Sequence, residues 1–432
     1  MSNLQWKQIH PNIFFVYQDG FGVVHAPLLG KFFSVPAEAM GIVWNYLDSG
    51  KPETHYFHQH LVSEGFFEEA AMPRIAKDGP FNSREVTISL TSACNLRCIY
   101  CYACAGINFC NLPWELVEKS IQQLYVYANE RNDTDVELSF HGTGETLVRW
   151  QVMVKAVNYA MELLPEGWTI SFSLVTNGTL IDDEKAKFLK EHNFSVVLSM
   201  DGIEEIQNVL RPKADGTGSF NDVLAGMKAL VENEVSFAVR TTVTGLNQDT
   251  MLEFLELCAS HGCKEISAAP FSATGRGKDG VDDVDPEIFV KNYLLAKKRA
   301  TELGMTFITP SDCLNNISLR YCNADGESMA VMPEGIISCC TRVTKKSDPL
   351  VDVFVIGQVT KDGVEINQTQ VEKLKELNLL NYPECQDCFV KYTCSSGCHH
   401  TRLLNGGHQP ASYCKIMRAV VWDTLKNAAL KA

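Results

Sequence analysis

Cys94, Cys98 and Cys101 stand on one short stretch directly after an apolar, strand-like run at residues 86–90. Three thiols at C-x-x-x-C-x-x-C spacing constrain this chain more than any other feature. Three thiolates on a short loop can hold three irons of a [4Fe–4S] cluster, for which thiolate is the usual protein ligand. The fourth iron is then left without a protein ligand, and an open metal position marks chemistry where a closed one marks structure. A zinc knuckle is the alternative, but zinc asks for four ligands, often as two C-x-x-C pairs.

A chain of 432 residues predicts two to three domains at roughly 150 residues each. Thirty-eight basic against 52 acidic residues leave a formal charge of −14, which argues against a phosphate-backbone partner, so no nucleic acid is expected. No apolar run approaches the roughly 18 residues of a membrane span, so no membrane partner is expected. The first seven residues lack a basic start followed by an apolar core, so no signal peptide is expected and the predicted location is the cytoplasm. Sixteen cysteines in such a compartment point to metal binding over disulfides.

Residues 1–78 read as a small α+β unit. Strands are predicted at 13–17 and 21–26 around an Asp19-Gly20 turn, with a third at 31–35. A helix is predicted from Pro36 to about Leu47, with Met40, Val43, Trp44 and Leu47 on one face, and a second over 53–63. From residue 86 to about 303 strand and helix alternate. Strands are expected at 86–90, 136–140, 169–175, 195–199, 236–243 and 265–269, with helices between them at, for example, 113–130, 182–192 and 221–233. Such alternation implies a parallel sheet with helical crossovers, whose chemistry in barrels sits at the C-terminal strand ends. An amphipathic helix is predicted over 416–430.

The cysteine run, with aromatic Tyr100 before its last cysteine, resembles the radical S-adenosylmethionine (SAM) signature. The resemblance implies an α/β chain whose residues 79–305 form a partial (β/α)6 TIM-type barrel. It makes Cys94, Cys98 and Cys101 cluster ligands at the catalytic centre. It also implies SAM bound at the free iron, its sulfonium cleaved by an electron from the cluster to give a 5′-deoxyadenosyl radical. The stretch His141-Gly142-Thr143-Gly144-Glu145 resembles the family's Gly-Gly-Glu motif, with Thr143 in place of a glycine and Thr146 in place of a proline. By that likeness Gly142, Gly144 and Glu145 bind the SAM amino group; glycine lets backbone approach a ligand closely. Thr176 and Asn177 of Thr176-Asn177-Gly178 match a motif at the ribose, and Ser199 matches a serine that contacts SAM. Arg240 can pair with the SAM carboxylate, and Tyr100 can pack by the adenine. Strand-end hydrogen bonding is the alternative for Ser199 and Arg240, and core packing for Tyr100. His141 can contact SAM or donate a proton, with a structural role as the commoner reading of one histidine beside a glycine turn; Cys104, Cys110, Cys258 and Cys263 read as spare or buried thiols.

The C-terminal stretch carries Cys313, Cys322, Cys339, Cys340, Cys385, Cys388, Cys394, Cys398 and Cys414. The spacing from Cys322 through Gly335 and Cys340 to Cys385-x2-Cys388-x5-Cys394-x3-Cys398 and Cys414 resembles the SPASM domain. Residues 306–432 are read as that auxiliary iron–sulfur domain. The resemblance implies two further [4Fe–4S] clusters, three in all. Cys322, Cys340 and Cys398 would serve one, with Cys313 chosen as its fourth ligand and an iron open to a substrate thiolate as the alternative; Cys385, Cys388, Cys394 and Cys414 would serve the other. Cys339 is the poorer candidate for that fourth place, because adjacent strand residues face opposite ways.

Together these likenesses imply an oxidoreductase that matures ribosomally made precursor peptides. Residues 1–78, similar to winged-helix-like peptide-recognition domains, would bind the leader, and a flavodoxin or ferredoxin would serve as reductant. The expected product is a crosslink, a thioether first and a carbon–carbon or carbon–oxygen bond next. Peptide epimerisation and sulfatase-type maturation are alternatives. The latter is disfavoured because Thr341 stands where such maturases carry an Asp. A non-peptide substrate and a non-catalytic iron–sulfur redox protein are further readings.

Overall fold

The computed structural model describes residues 3–75, 79–310 and 312–431. They fall into two compact units, one within 1–75, 310–322 and 377–432, the other within 76–309 and 323–376. The boundary expected after residue 78 adjoins residues 76–78, which lie outside the described residues.

The first unit is built on four antiparallel strands in sequential order, β1 (Gln5–His10), β2 (Ile13–Gln18), β3 (Phe21–Ala26) and β4 (Lys31–Val35). Asp19 and Gly20 both take positive φ (49° and 79°), the geometry that matches the twist of a two-residue hairpin. The run Ile13-Phe14-Phe15-Val16 is apolar throughout because both faces of the sheet are covered. Ile13 and Phe15 point with Val24 and Ala26 toward helices Met40–Asp48 and Tyr56–Ser63. Phe14, Val16 and Val23 point the other way, onto Cys388, Phe389, Val390 and the final helix Ala411–Ala429 through Val421, Trp422 and Leu425. Polar bonds fasten the same seam. The Trp422 indole donates to Gln18 Oε1 at 2.6 Å, the Trp6 indole to the Asp387 carbonyl at 2.7 Å, and the Tyr392 hydroxyl to Asn12 Oδ1 at 2.6 Å.

Three local expectations are corrected here. β1 was not anticipated. The helix expected from Pro36 begins at Met40 after a single tight turn, Ala37–Ala39, because Pro36 itself is extended (ψ 163°). The second helix starts at Tyr56, not residue 53; His55 caps it, its Nδ1 accepting from the Phe57 amide at 3.1 Å.

In the second unit, β5 (Glu85–Ile88), β6 (Asp135–Phe140), β7 (Thr169–Thr176), β8 (Ser195–Ser199), β9 (Phe237–Val243), β10 (Glu265–Pro270) and β11 (Thr306–Ile308) lie side by side, parallel and in chain order. Helices such as Trp114–Arg131, Asp183–Glu191 and Phe220–Glu232 cross between them. The order has no reversal point, as a doubly wound sheet would have, so this is the partial (β/α) barrel expected. It runs one strand beyond the six anticipated. At the other edge β12 (Met329–Val331) pairs parallel to β5, and β13 (Ile336–Ser338), β14 (Val355–Thr360) and β15 (Gly363–Ile366) follow antiparallel. Segment 323–376 therefore packs as an extension of the barrel sheet. Among the described residues no helix is long and apolar enough to cross a membrane.

Candidate active site

The loop at residues 94–101 leaves the C-terminal side of β5 and is pinned from several directions. Its backbone bonds to the segment after helix Glu204–Leu210: the Arg97 amide to the Pro212 carbonyl at 2.7 Å, Ile99 to Leu210 at 3.0 Å, and Ala214 to Asn95 at 2.9 Å. Two arginines staple its carbonyls. Arg97 donates to Cys94, Leu96 and Gly106 at 2.7–2.9 Å, and Arg276 to Cys98 and Ala105 at 3.0 and 2.9 Å. Spending carbonyls on guanidinium groups holds the loop while its three sulfurs stay available. Gly275, with φ +56°, permits this bracing, since a Cβ there would collide with the Cys101 carbonyl oxygen.

Glu145 follows β6 and is buried to 2% exposure. Its Oε1 accepts from the Leu147 amide at 3.0 Å and the Thr176 hydroxyl at 2.8 Å, and its Oε2 from the Asn177 amide at 2.8 Å. Burial raises its pKa, while these bonds favour the charged form. Asn177 reaches back to the cysteine loop, its Nδ2 donating to Asn95 Oδ1 at 2.9 Å and standing 3.9 Å from Cys94 Sγ. Thr176, Asn177 and Glu145 thus form one buried lattice behind Cys94. The glycines also serve local packing. A Cβ at Gly144 would strike the carbonyl oxygens of Ala93 and Thr91, so its close approach is to the cysteine loop itself. Gly142 (φ +151°) would strike Ser89. Thr143 is accommodated because its buried hydroxyl donates to the Thr91 carbonyl at 2.9 Å.

The Tyr100 hydroxyl bonds to the Asp201 carboxylate and accepts from Arg211 at 2.7 Å, and Arg211 stands 3.5 Å from Asp201. Its ring meets Phe271 edge-on at 6.4 Å. Ser199 and Arg240 are register partners on β8 and β9, and Arg240 is exposed. Burial and the Arg240 charge lower the His141 pKa to about 4, which keeps that imidazole neutral. Tyr102 donates to the Gly142 carbonyl at 3.2 Å. Its phenol is held protonated by burial and lies within charge interaction of Cys101, Arg342 and Cys340. Sequence reading missed Asp201, Arg211, Arg276 and Tyr102. Only Asp201, following β8 in Ser199-Met200-Asp201-Gly202, carried a strand-end signal.

Burial pushes the Cys94 thiol up to about 12, with the Glu145 carboxylate and the other two thiols adding to the shift. Cys98 is shifted upward by burial as well. Bare thiolates are therefore disfavoured here and a cationic centre would be needed to hold them. Among the described residues no three Cys, His, Asp or Glu side chains converge as a single metal ion would require. A [4Fe–4S] cluster does not ask for that, since each thiolate takes a different iron. The donor set, the rigid loop and the glycine-permitted packing behind it fit such a cluster.

In the other unit the cysteines gather differently. Burial pushes Cys394 up to about 12, followed by charge interactions with Cys388, Cys414 and Cys385, so these four share one neighbourhood. Arg402 donates to Cys385 Sγ and Arg418 to Cys388 Sγ, each at 3.4 Å. Cys322, Cys398 and Cys394 share the surroundings of Tyr321, whose pKa burial raises to about 12. Cys313 is exposed. Cys340, named with Cys322, Cys398 and Cys313 as one ligand set, belongs to the barrel unit and lies near Tyr102. Its neighbour Cys339 is buried, and burial and Asp325 raise its pKa. Cys258 and Cys263 are both buried.

Residues 88–258 match the radical SAM superfamily. This stretch, about 40% of the chain, is therefore a radical SAM domain. Radical SAM proteins bind S-adenosylmethionine and a [4Fe–4S] cluster. The chain is also similar to a serine-type anaerobic sulfatase-maturating enzyme of Klebsiella aerogenes, 24% identical over 325 residues, 71% of this chain and 77% of that one. Aligned segments span 41% to 79% of such curated relatives, and 61% of an uncharacterised Methanocaldococcus jannaschii protein. Among solved structures, anSMEcpe with bound AdoMet is matched with a TM-score of 0.65 at 21% identity, over 81% of this chain and 100% of that one. SuiB of Streptococcus suis, bound to precursor peptide SuiA, is matched with a TM-score of 0.55 at 15% identity, over 94% of this chain and 99% of that one. Both likenesses concern the fold alone.

Proposed function

We propose that this radical SAM protein is a peptide maturase that installs a crosslink in a ribosomally made precursor, a thioether in the first instance. The observation that carries the reading is the presence in one chain of two cysteine groups. One is the Cys94, Cys98, Cys101 loop backed by Glu145 and Asn177; the other is the interacting set Cys385, Cys388, Cys394 and Cys414. The likeness to sulfatase-maturating enzymes and to SuiB, whose solved form holds a precursor peptide, supports a peptide or protein as substrate.

Bound S-adenosylmethionine and the reduced cluster would supply a 5′-deoxyadenosyl radical that takes a hydrogen atom from the peptide. Cys94, Cys98 and Cys101 would hold that cluster. Gly142, Gly144, Glu145, Thr176, Asn177, Ser199, Arg240 and Tyr100 would line the SAM side of the site. We assign a second cluster to Cys385, Cys388, Cys394 and Cys414, and a third to Cys322, Cys340, Cys398 and Cys313. The leader would bind residues 1–78, and a flavodoxin or ferredoxin would deliver electrons. Sulfatase-type maturation is the second reading, favoured by the named relatives. Against it, Thr341 rather than a carboxylate follows Cys340.

The test is to incubate the anaerobically reconstituted chain with SAM, dithionite and a Cys-containing precursor peptide. The expected result is 5′-deoxyadenosine together with a peptide that has lost two hydrogens. Formylglycine at the modified residue would favour the second reading. An unchanged peptide mass with inverted stereochemistry would point to epimerisation. No 5′-deoxyadenosine from iron-loaded protein would overturn the proposal.

A further inference from the structure

Two arginines of the C-terminal segment aim N–H groups at cysteine sulfur. Arg402 is 1% exposed. Its Nη2 donates to Cys385 Sγ at 3.4 Å and to the Ser396 carbonyl at 3.0 Å. Its Nη1 donates to the Gly407 carbonyl at 2.9 Å and pairs with Glu384, and the guanidinium lies 3.9 Å from the centre of the Tyr382 ring. Arg418, one turn beyond Cys414 on the helix Ala411–Ala429, donates from Nε to Cys388 Sγ at 3.4 Å and lies 4.7 Å from the Trp6 ring centre. Both cations also act on Cys414. Each guanidinium is held on a second side by an aromatic face, so its direction toward sulfur is fixed. On the Cys94 loop, by contrast, Arg97 and Arg276 bond carbonyls and Arg211 bonds the Tyr100 hydroxyl, so cations reach Cys98 through charge alone, and the donors near Cys94 Sγ are the neutral Leu96 amide at 3.4 Å and Asn177 Nδ2 at 3.9 Å.

Hydrogen bonds to ligand sulfur and nearby positive charge stabilise the more negative, reduced state of an iron–sulfur group, and a buried setting strengthens both effects. Glu384 offsets part of the Arg402 charge. Among the described residues no carboxylate pairs with Arg418, which makes it the stronger lever.

We infer that Arg402 and Arg418 are positioning residues that raise the reduction potential of the group held by Cys385, Cys388, Cys394 and Cys414. The inference rests on the proposed reading of those four cysteines as cluster ligands.

The experiment uses the full-length chain, reconstituted anaerobically, as wild type, Arg418→Gln, Arg418→Lys and Arg402→Lys. Iron and sulfide per chain come first. Iron near four in the wild type (about one cluster) would overturn the ligand reading and the inference with it. With iron above that level, a potentiometric titration followed by electron paramagnetic resonance decides the inference alone. Arg418→Gln is expected to lower one midpoint so that the reduced-to-oxidised ratio at the wild-type midpoint falls about tenfold, 59 mV for a one-electron couple. Arg418→Lys keeps the charge without the fixed planar donor and should fall between; Arg402→Lys should shift less. The wave that responds to added SAM should not move. Unchanged midpoints in iron-replete Arg418→Gln would refute the inference. Should that variant lose iron, Arg418→Lys carries the same test in the same direction.

Discussion

The loop at residues 94–101 and the segment at residues 385–414 both gather cysteines, yet they treat sulfur differently. In the first, arginines hold carbonyls, a buried carboxylate stands behind Cys94, and glycine permits the close packing that keeps the loop in place. In the second, guanidinium groups reach the sulfurs themselves. Burial raises the thiol pKa in both groups, but in the first Arg211 and Arg276 act on Cys98 through charge alone, whereas in the second two guanidinium groups also donate hydrogen bonds to sulfur. The contrast teaches that ligand type alone does not assign a role to a cysteine group. What the neighbouring donors bond to distinguishes the two groups, sulfur in one and backbone carbonyls in the other.

Four substitutions would break or sharpen that contrast. Cys98→Ala has the largest expected effect. It should abolish 5′-deoxyadenosine formation, read by chromatography, while lowering iron by only about a third if three clusters are present. Loss of all iron would mean that the two regions are not independent. Gly144→Ala comes next. Its Cβ must displace the backbone at Ala93 and Thr91, a cost of about 3 kcal/mol by analogy with overpacked cores, read as a lower urea midpoint together with reduced iron in the first site.

His25 gives a smaller, pH-dependent effect in the other unit. It is 2% exposed, its Nδ1 has no hydrogen-bond partner among the described residues, and its register partners are Phe14 and Phe32. Burial lowers its pKa from 6.5 to about 4. Between those values the unfolded chain binds a proton that the folded chain does not, so stability falls as pH drops through that window. The loss between pH 7 and pH 5 should be roughly 2 kcal/mol. His25→Phe should flatten this dependence in urea titrations. The smallest effect is expected from Trp422→Phe, which keeps most of the buried ring but deletes the bond to Gln18, at about 1 kcal/mol in the same assay.

Much of the barrel was legible because its strands are short apolar runs at regular intervals, each followed by a helical pattern. The Asp19-Gly20 hairpin was legible for a similar local reason. β1 was not, because the edge strand Gln5-Trp6-Lys7-Gln8-Ile9-His10 is half polar and reads as loop. β12 was hidden by its three-residue length and by pairing with β5 across some 240 residues of chain. The cysteine, glycine and asparagine motifs stood out because each is compact in sequence. Arg211, Arg276 and Asp201 did not, since only folding brings them to the loop. For the same reason the sequence did not reveal that residues 377–432 cover one face of the N-terminal sheet.

The most direct test of two distinct iron–sulfur regions is iron and acid-labile sulfide per chain, measured on full-length protein after anaerobic reconstitution. The account predicts about twelve irons, four for each of three clusters. A value near four would contradict it, leaving Cys385, Cys388, Cys394 and Cys414 without the role proposed for them.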